Sequence, residues 1–308
     1  MMPATFSQFP PELEYEIFLF AFHNERDNPT NLLLVAKRIH DWLIPHIYKV
    51  VVFRTDRVRP PKASSSTLQL YGHHTRHLIL RVGVTPIPPM DILSYCPNVE
   101  DLALWKRRKW SYSALSKTVN PLTSFRLKRL SIPITALQEL AGSNTDIDVE
   151  RKTTIAGFFS TITHLDVCSR VTRSEELSAL SYCTSLTHLC IFASLPPQIL
   201  RFIFDVCNKL EVLIWLMNRS VVGVPASHVV VITDEDMRTT LKGGGAGLTQ
   251  DEVDKIAFIR CNVYGSDWER GANGGVDMWV LADRVVREAI SSRKGIPALE
   301  SKFGELHT

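Results

Sequence analysis

Ile162-Thr163-His164-Leu165-Asp166-Val167 and Leu186-Thr187-His188-Leu189-Cys190-Ile191 follow one pattern, apolar-x-x-Leu-x-apolar, with their central leucines 24 residues apart. The pattern returns at Val99 to Leu104, Leu127 to Ile132 and Leu210 to Trp215, and in a weaker form at Thr75 to Leu80. The central leucines are therefore Leu78, Leu102, Leu130, Leu165, Leu189 and Leu213, spaced by 24, 28, 35, 24 and 24 residues. Recurrence at a near-constant period is the mark of a repeat architecture, in which each unit buries its apolar stripe only against its neighbours. Period-two alternation around each Leu predicts a short strand whose flanking residues turn to the opposite face.

Between these strands lie segments with apolar residues three or four apart. They are Pro88 to Tyr95, Ile134 to Leu140, Thr153 to Phe159, Ser174 to Leu180 and Pro196 to Phe204, several opening on Ser, Thr or Pro as helices do. Val50 to Phe53 before the repeats, and His228 to Ile232 and Ile256 to Ile259 after them, extend the sheet. The reading is an α/β solenoid of about nine parallel strands with outer helices, and the spacing lies in or near the 20–29 of leucine-rich repeats. The position five after the central Leu, commonly Asn or Cys in such repeats, is Arg107, Thr135, Arg170, Ser194 and Asn218. The turns must therefore be satisfied some other way. Cys183 and Cys207, with Cys96 more loosely, recur just before a strand as small buried spacers.

Ahead of the repeats, Phe9-Pro10-Pro11-Glu12-Leu13 opens a helix with Pro at its start and Glu in its first turn. Leu13, Ile17 and Phe20 form one stripe and Phe18 and Phe22 another. Asn31 to Pro45 reads as a second helix with Leu32, Val35, Ile39 and Trp42 on one face. This is more apolar surface than one small core needs, which suggests a partner. Pro10-Pro11-Glu12-Leu13 with Ile17-Phe18, then Leu33-Leu34-Val35-Ala36-Lys37-Arg38 running to Trp42, resembles an F-box. Followed by repeats and by Asp267-Trp268 to Asp277-Met278-Trp279, the arrangement is similar to F-box-like proteins of mushroom-forming fungi. Phe9, Ala36 and Ile39 stand where that family usually has Leu, Cys and Trp. The resemblance implies a substrate receptor with no cofactor and no catalysis of its own. It would dock on a Skp-type adaptor of a cullin ubiquitin ligase through Pro10, Pro11, Leu13, Ile17, Leu33, Val35 and Ile39. The same residues also read as the core of a cap closing the solenoid.

The strand residues beside each Leu form ladders: His77, Asp101, Arg129, His164, His188, Val212, then Ile79, Ala103, Ser131, Asp166, Cys190, Ile214, with Arg81, Trp105, Pro133, Cys168, Phe192 and Leu216 beyond. His77, Asp101, Trp105, Arg129, His164, Asp166, His188 and Phe192 are the candidates for binding an unknown target protein. The apolar half of the ladder calls for a bound protein or for cover from residues 233–308. Trp105-Lys-Arg-Arg-Lys-Trp110 is a basic cluster suited to an acidic or phosphorylated segment, or simply to a solvated loop.

Other classes fit poorly. With 35 Lys and Arg against 32 Asp and Glu, net +3, the chain lacks the charge of a nucleic-acid binder. Its apolar runs fall far short of the roughly 18 residues of a membrane helix. Glu12, Glu14 and Glu16 spoil a leader-like start, so a cytoplasmic or nuclear setting with reduced thiols is expected. No Cys-x-x-Cys pair is present, Gly243 to Gly247 lacks the Lys-Ser/Thr of a phosphate loop, and the histidines lack ligand spacing, so no metal is expected. The expected organisation is a helical module over 6–48, the solenoid over 49–233, a flexible loop over 234–250, a strand and capping helix over 251–293, and a frayed tail over 294–308.

Overall fold

The structure, a computed structural model, describes residues 9–24, 29–53, 58–59, 63–82, 89–106, 126–141, 149–192, 195–217, 229–231, 241, 247–261 and 264–294. Every apolar-x-x-Leu-x-apolar segment is a strand. In chain order the strands are β1 (Val50–Phe53), β2 (Val58–Arg59), β3 (His77–Val82), β4 (Asp101–Lys106), β5 (Arg129–Ile132), β6 (His164–Val167), β7 (His188–Phe192), β8 (Val212–Met217), β9 (Val229–Val231) and β10 (Ile256–Cys261). They form one sheet in the order β2-β1-β3-β4-β5-β6-β7-β8-β10-β9. The eight inner strands run parallel, while β2 and β9 are antiparallel at the edges. Of the nine strands expected to run parallel, β9 is antiparallel to β10, which leaves eight. β2 was not among the nine; only residues 54–57 separate it from β1, too few for the crossover of roughly a dozen residues that a parallel return needs. Two- and three-residue edge strands leave little ladder open to further pairing.

The central leucines Leu78, Leu102, Leu130, Leu165, Leu189 and Leu213 are in register and buried on one face. On that face they join residues of α3 (Ser65–Tyr71), α4 (Pro89–Tyr95), α5 (Ile134–Ala141), α6 (Val149–Ser160) and α7 (Pro197–Val206) in one continuous core. The result is a solenoid-like α/β fold of repeated helix–strand units. The helix expected over Ser174 to Leu180 is a nine-residue 3₁₀ helix, Ser174–Tyr182. At a rise of about 2 Å per residue it spans roughly 18 Å, a length that takes about twelve residues of α-helix, so the short 24-residue unit still crosses the sheet. Cys96, Cys183 and Cys207 are buried where a helix ends before a strand, each amide donating back to the preceding turn. Burial pushes all three thiols up, Cys96 to about 11.

With no Asn ladder, the backbone is satisfied by stitching at the strand starts. The amides of Asp101, Arg129, His164, His188 and Val212, each with the amide before it, donate to the carbonyls of Arg76, Glu100, Lys128, Thr163 and Thr187. Ser169 Oγ accepts from the Ile134 amide at 2.6 Å in the turn between units.

At the N-terminus, α1 (Pro11–Asn24) is followed by a 3₁₀ turn (Pro29–Leu34) and α2 (Lys37–Lys49), which runs into β1. The single helix expected from Asn31 to Pro45 is therefore broken, because Ala36 is extended at φ −162°, ψ 155°. The break lets α2 roll so that Ile39, Leu43, Ile44 and Tyr48 go inward while Leu34 and Val35 stay out. After β8 come α8 (Gln250–Asp254), β10, α9 (Tyr264–Ala272) and α10 (Met278–Arg293). The loop expected over 234–250 lies mostly outside the described residues, as does the tail beyond Lys294. No helix among the described residues is long and apolar enough to cross a membrane.

Candidate interaction surfaces

The first surface is α1 with the turn that follows it. No residue of α1 is buried, although Leu13, Ile17, Phe18, Leu19, Phe20 and Phe22 make up much of it. It is tied to α2 by polar and ring contacts: Tyr15 Oη lies 3.0 Å from His46 Nε2, Glu14 accepts from Arg38, and Tyr15 meets Trp42 edge-on at 5.7 Å. Burial, with His23 and Lys49 nearby, lowers the His46 pKa, which favours the neutral ring in that packing. These ties leave Phe9, Leu13, Ile17, Phe20, Leu34 and Val35 each more than half exposed. Of the docking residues read from the sequence, Pro10, Pro11, Leu13, Ile17 and Val35 face outward, and Leu33 is half-buried against the core. Ile39 is 1% exposed and belongs to the interior, so it cannot meet a partner. Phe20 and Leu34 were absent from that set. Phe20's place on the Leu13–Ile17 stripe was visible in the spacing, whereas Leu34 is turned outward by the break at Ala36.

The second surface is the opposite face of the sheet. The registers set His77, Asp101, Arg129, His164, His188 and Val212 side by side, with Ile79, Ala103, Ser131, Asp166, Cys190 and Ile214 two residues on. This face is occupied by the chain's own C-terminal helices. Trp268 Nε1–H of α9 donates to Asp101 Oδ1 at 3.1 Å, and its ring meets His77 edge-on. Tyr264 packs on Trp105 at 5.3 Å, while Arg129 donates to Asp277 at 3.4 Å. His188 Nε2 pairs with Asp283 at 3.0 Å. His164 and His188 stack at 4.1 Å and 8°, both edge-on to Trp279.

Around these polar ties, Cys190, Val212, Ile214, Leu216, Ala257 and Ile259 of the sheet bury Met278, Trp279, Ala282 and Val286 of α10, with Phe192 packed alongside. A smaller cluster joins Val50, Val52, Ile79 and Ala103 to Ala272, beside Trp105 and Trp268. Seven of the eight target-binding residues read from the sequence therefore lie against α9 and α10 or in the cluster that α10 completes, and the eighth, Asp166, is buried among them. The capping helix expected within 251–293 lays Trp279, Ala282 and Val286 on the face of the sheet, so its cover comes from the chain's own residues 233–308, one of the two alternatives read from the sequence. α9 went unread, although its mostly polar run Tyr264 to Ala272 is amphipathic and turns Trp268 and Ala272 to the sheet.

Burial shifts several groups here. Trp105 Nε1–H donates to Ser131 Oγ at 2.8 Å, and Ser131 donates to Asp166. Asp166 is pushed up to about 7, chiefly by burial and also by Asp101, against the pull of its Ser131 and Cys190 hydrogen bonds. His164 is pushed down to about 3 by burial, then by His188 and Arg129. Asp267, which accepts the Met278 amide at 3.0 Å, is raised to about 6 by burial first. Asp277 caps α10, accepting the Trp279 and Val280 amides at 3.1 and 3.0 Å. Among the described residues no group of three or more His, Cys, Asp or Glu is placed to hold a metal ion.

Of the basic cluster, residues 107–110 lie outside the described residues. Lys128 pairs with Glu100 at 2.7 Å, and Arg129 is taken up by Asp277. Compared with known proteins, the chain matches no family model and no curated protein.

Proposed function

We propose that the chain is the substrate receptor of a Skp–cullin–F-box type ubiquitin ligase, with an F-box-like start and a leucine-rich-repeat-like solenoid. The N-terminal helices dock on the Skp-type adaptor, and the solenoid holds a target protein. The receptor performs no chemistry of its own. Holding a lysine-bearing target beside the conjugating enzyme raises its effective concentration there. Such a receptor works in the cytoplasm or nucleus.

The observation that carries this reading is the bare helix α1: fourteen residues, none buried, with Leu13, Ile17 and Phe20 exposed along one stripe next to Leu34 and Val35. A contiguous apolar patch rimmed by polar residues, here Glu12, Glu16 and Lys37, marks a protein interaction site. The resemblance of Pro10 to Leu13 and Leu33 to Arg38 to an F-box names the partner. A second reading has its own support, because Ile44 and Tyr48 of α2 belong to the main core, as the residues of a cap would. The test is capture of purified Skp-type adaptor by the full-length chain and by its Leu13→Asp/Ile17→Asp variant. Docking predicts capture by the former and at least a tenfold loss in the latter, with an unchanged thermal transition. Equal capture by both, or none by either, leaves the cap reading.

A further inference from the structure

We propose that α9 and α10 form a strap that opens as one unit, uncovering the ladder face of the sheet while the helix-side core stays folded. The two faces of the sheet are held by different chemistry. On the helix side, the main core is built from aliphatic and aromatic side chains and thiols. Under the strap, Asp101, Ser131, Asp166 and His188 of the sheet and Asp267, Glu269 and Asp277 of the strap are all buried. These are seven of the nine buried polar or charged residues among those described.

Buried polar and charged groups give back most of their attraction in lost hydration. Their arrangement here is also incomplete: the Tyr264 hydroxyl, Asp166 Oδ1 and Asp267 Oδ1 are buried without a hydrogen-bond partner. Asp267 has Arg270 only at 3.6 Å. An interface of this kind fixes register well and holds weakly, as interfaces between mobile parts do. The apolar share, Met278, Trp279, Ala282 and Val286 on β7, β8 and β10, forms a cluster separate from the main core, so it can be lost without opening that core. At the far end of α10, half-exposed Arg293 pairs with the exposed Asp251 and, at 3.2 Å, with the buried Asp254 of α8.

The ladder beneath the strap is the face that the receptor reading assigns to a target. The purpose of opening, admitting a target in place of the strap, therefore rests on that reading; the opening itself does not, and neither does its test. Cys190 is fully buried under the strap, whereas Cys96, Cys183 and Cys207 are buried in the main core. Thiol alkylation of the native full-length chain, resolved by residue with mass spectrometry and normalised to each thiol's rate in denaturant, separates the two events. The expected result is that Cys190 is protected at least tenfold less than the core trio. Trp279→Ala, or the milder Asp283→Asn, should speed Cys190 further and leave the trio unchanged. Protection of Cys190 within tenfold of the trio overturns the strap, as does a variant that folds and speeds all four thiols together. The adaptor capture assay is blind to all of these outcomes, so failure of one proposal is distinguishable from failure of the other.

Discussion

Ile17 and Ile39 are the same side chain in the same N-terminal region, and the structure assigns them opposite roles. Ile17 is 52% exposed on α1, and Ile39 is 1% exposed on the inner side of α2. Truncating a buried Ile to Ala removes transfer free energy and leaves a cavity, together about 2–5 kcal/mol. At about 3 kcal/mol, and with about 2–4 °C lost per kcal/mol for a chain somewhat smaller than this one, Ile39→Ala should lower the melting temperature by roughly 6–12 °C. For Ile17→Ala, only about half of the roughly 1.5–3 kcal/mol of full burial is at stake, and Ala returns a few tenths through its helix propensity. The net loss is below about 1 kcal/mol, or under roughly 4 °C.

Adaptor capture should move the other way. Ile17→Ala weakens it, while Ile39→Ala, assayed well below its transition, leaves it unchanged. Differential scanning fluorimetry and equilibrium capture on both variants suffice. Equal melting shifts would refute the burial argument, and loss of capture in folded Ile39→Ala would refute the outward-facing docking set.

The shifted groups under the strap predict opposite pH effects. His164 is neutral in the fold down to about pH 3 but titrates near 6.5 when unfolded, so its contribution is present above pH 6.5 and is lost as pH falls toward 3. Asp166 keeps its proton up to about pH 7 against 3.8 unfolded, so its contribution is present below pH 3.8 and is lost as pH rises to 7. Relative to the parent chain, Asp166→Asn should gain stability from pH 4 to 7 by up to about 1.4 kcal/mol per unit, and His164→Phe should lose it over pH 3 to 6.5. Denaturant midpoints across that range check both, and parallel curves would contradict the assigned burial. Two glycines give a steric test. A Cβ on Gly72 would meet the Tyr95 carbonyl oxygen at 2.3 Å, so Gly72→Ala should cost more than about 2 kcal/mol. Exposed Gly157 in α6 has nothing within 4 Å of an added Cβ, so Gly157→Ala should add about 0.5–1 kcal/mol in the same unfolding assay.

The leucine spacing alone determined the parallel sheet, its register and the two sets of side chains on its faces. Period-two geometry and a repeated unit leave few other ways to bury six leucines in line, from Leu78 to Leu213. The bare apolar stripe of α1 was legible for a similar reason, since the Leu13, Ile17, Phe20 spacing depends only on the helix. What covers each face was decided by tertiary structure, because cover depends on partners distant in sequence. Asp101 waits for Trp268, Arg129 for Asp277, and His188 for Asp283, pairs separated by 95 to 167 residues that no local pattern connects. Ile39 was lost to the interior through one extended residue, Ala36, whose backbone angles no side chain announces. Local periodicity says which side of an element is apolar; whether that side meets a core, a strap or solvent is set by where the rest of the chain packs.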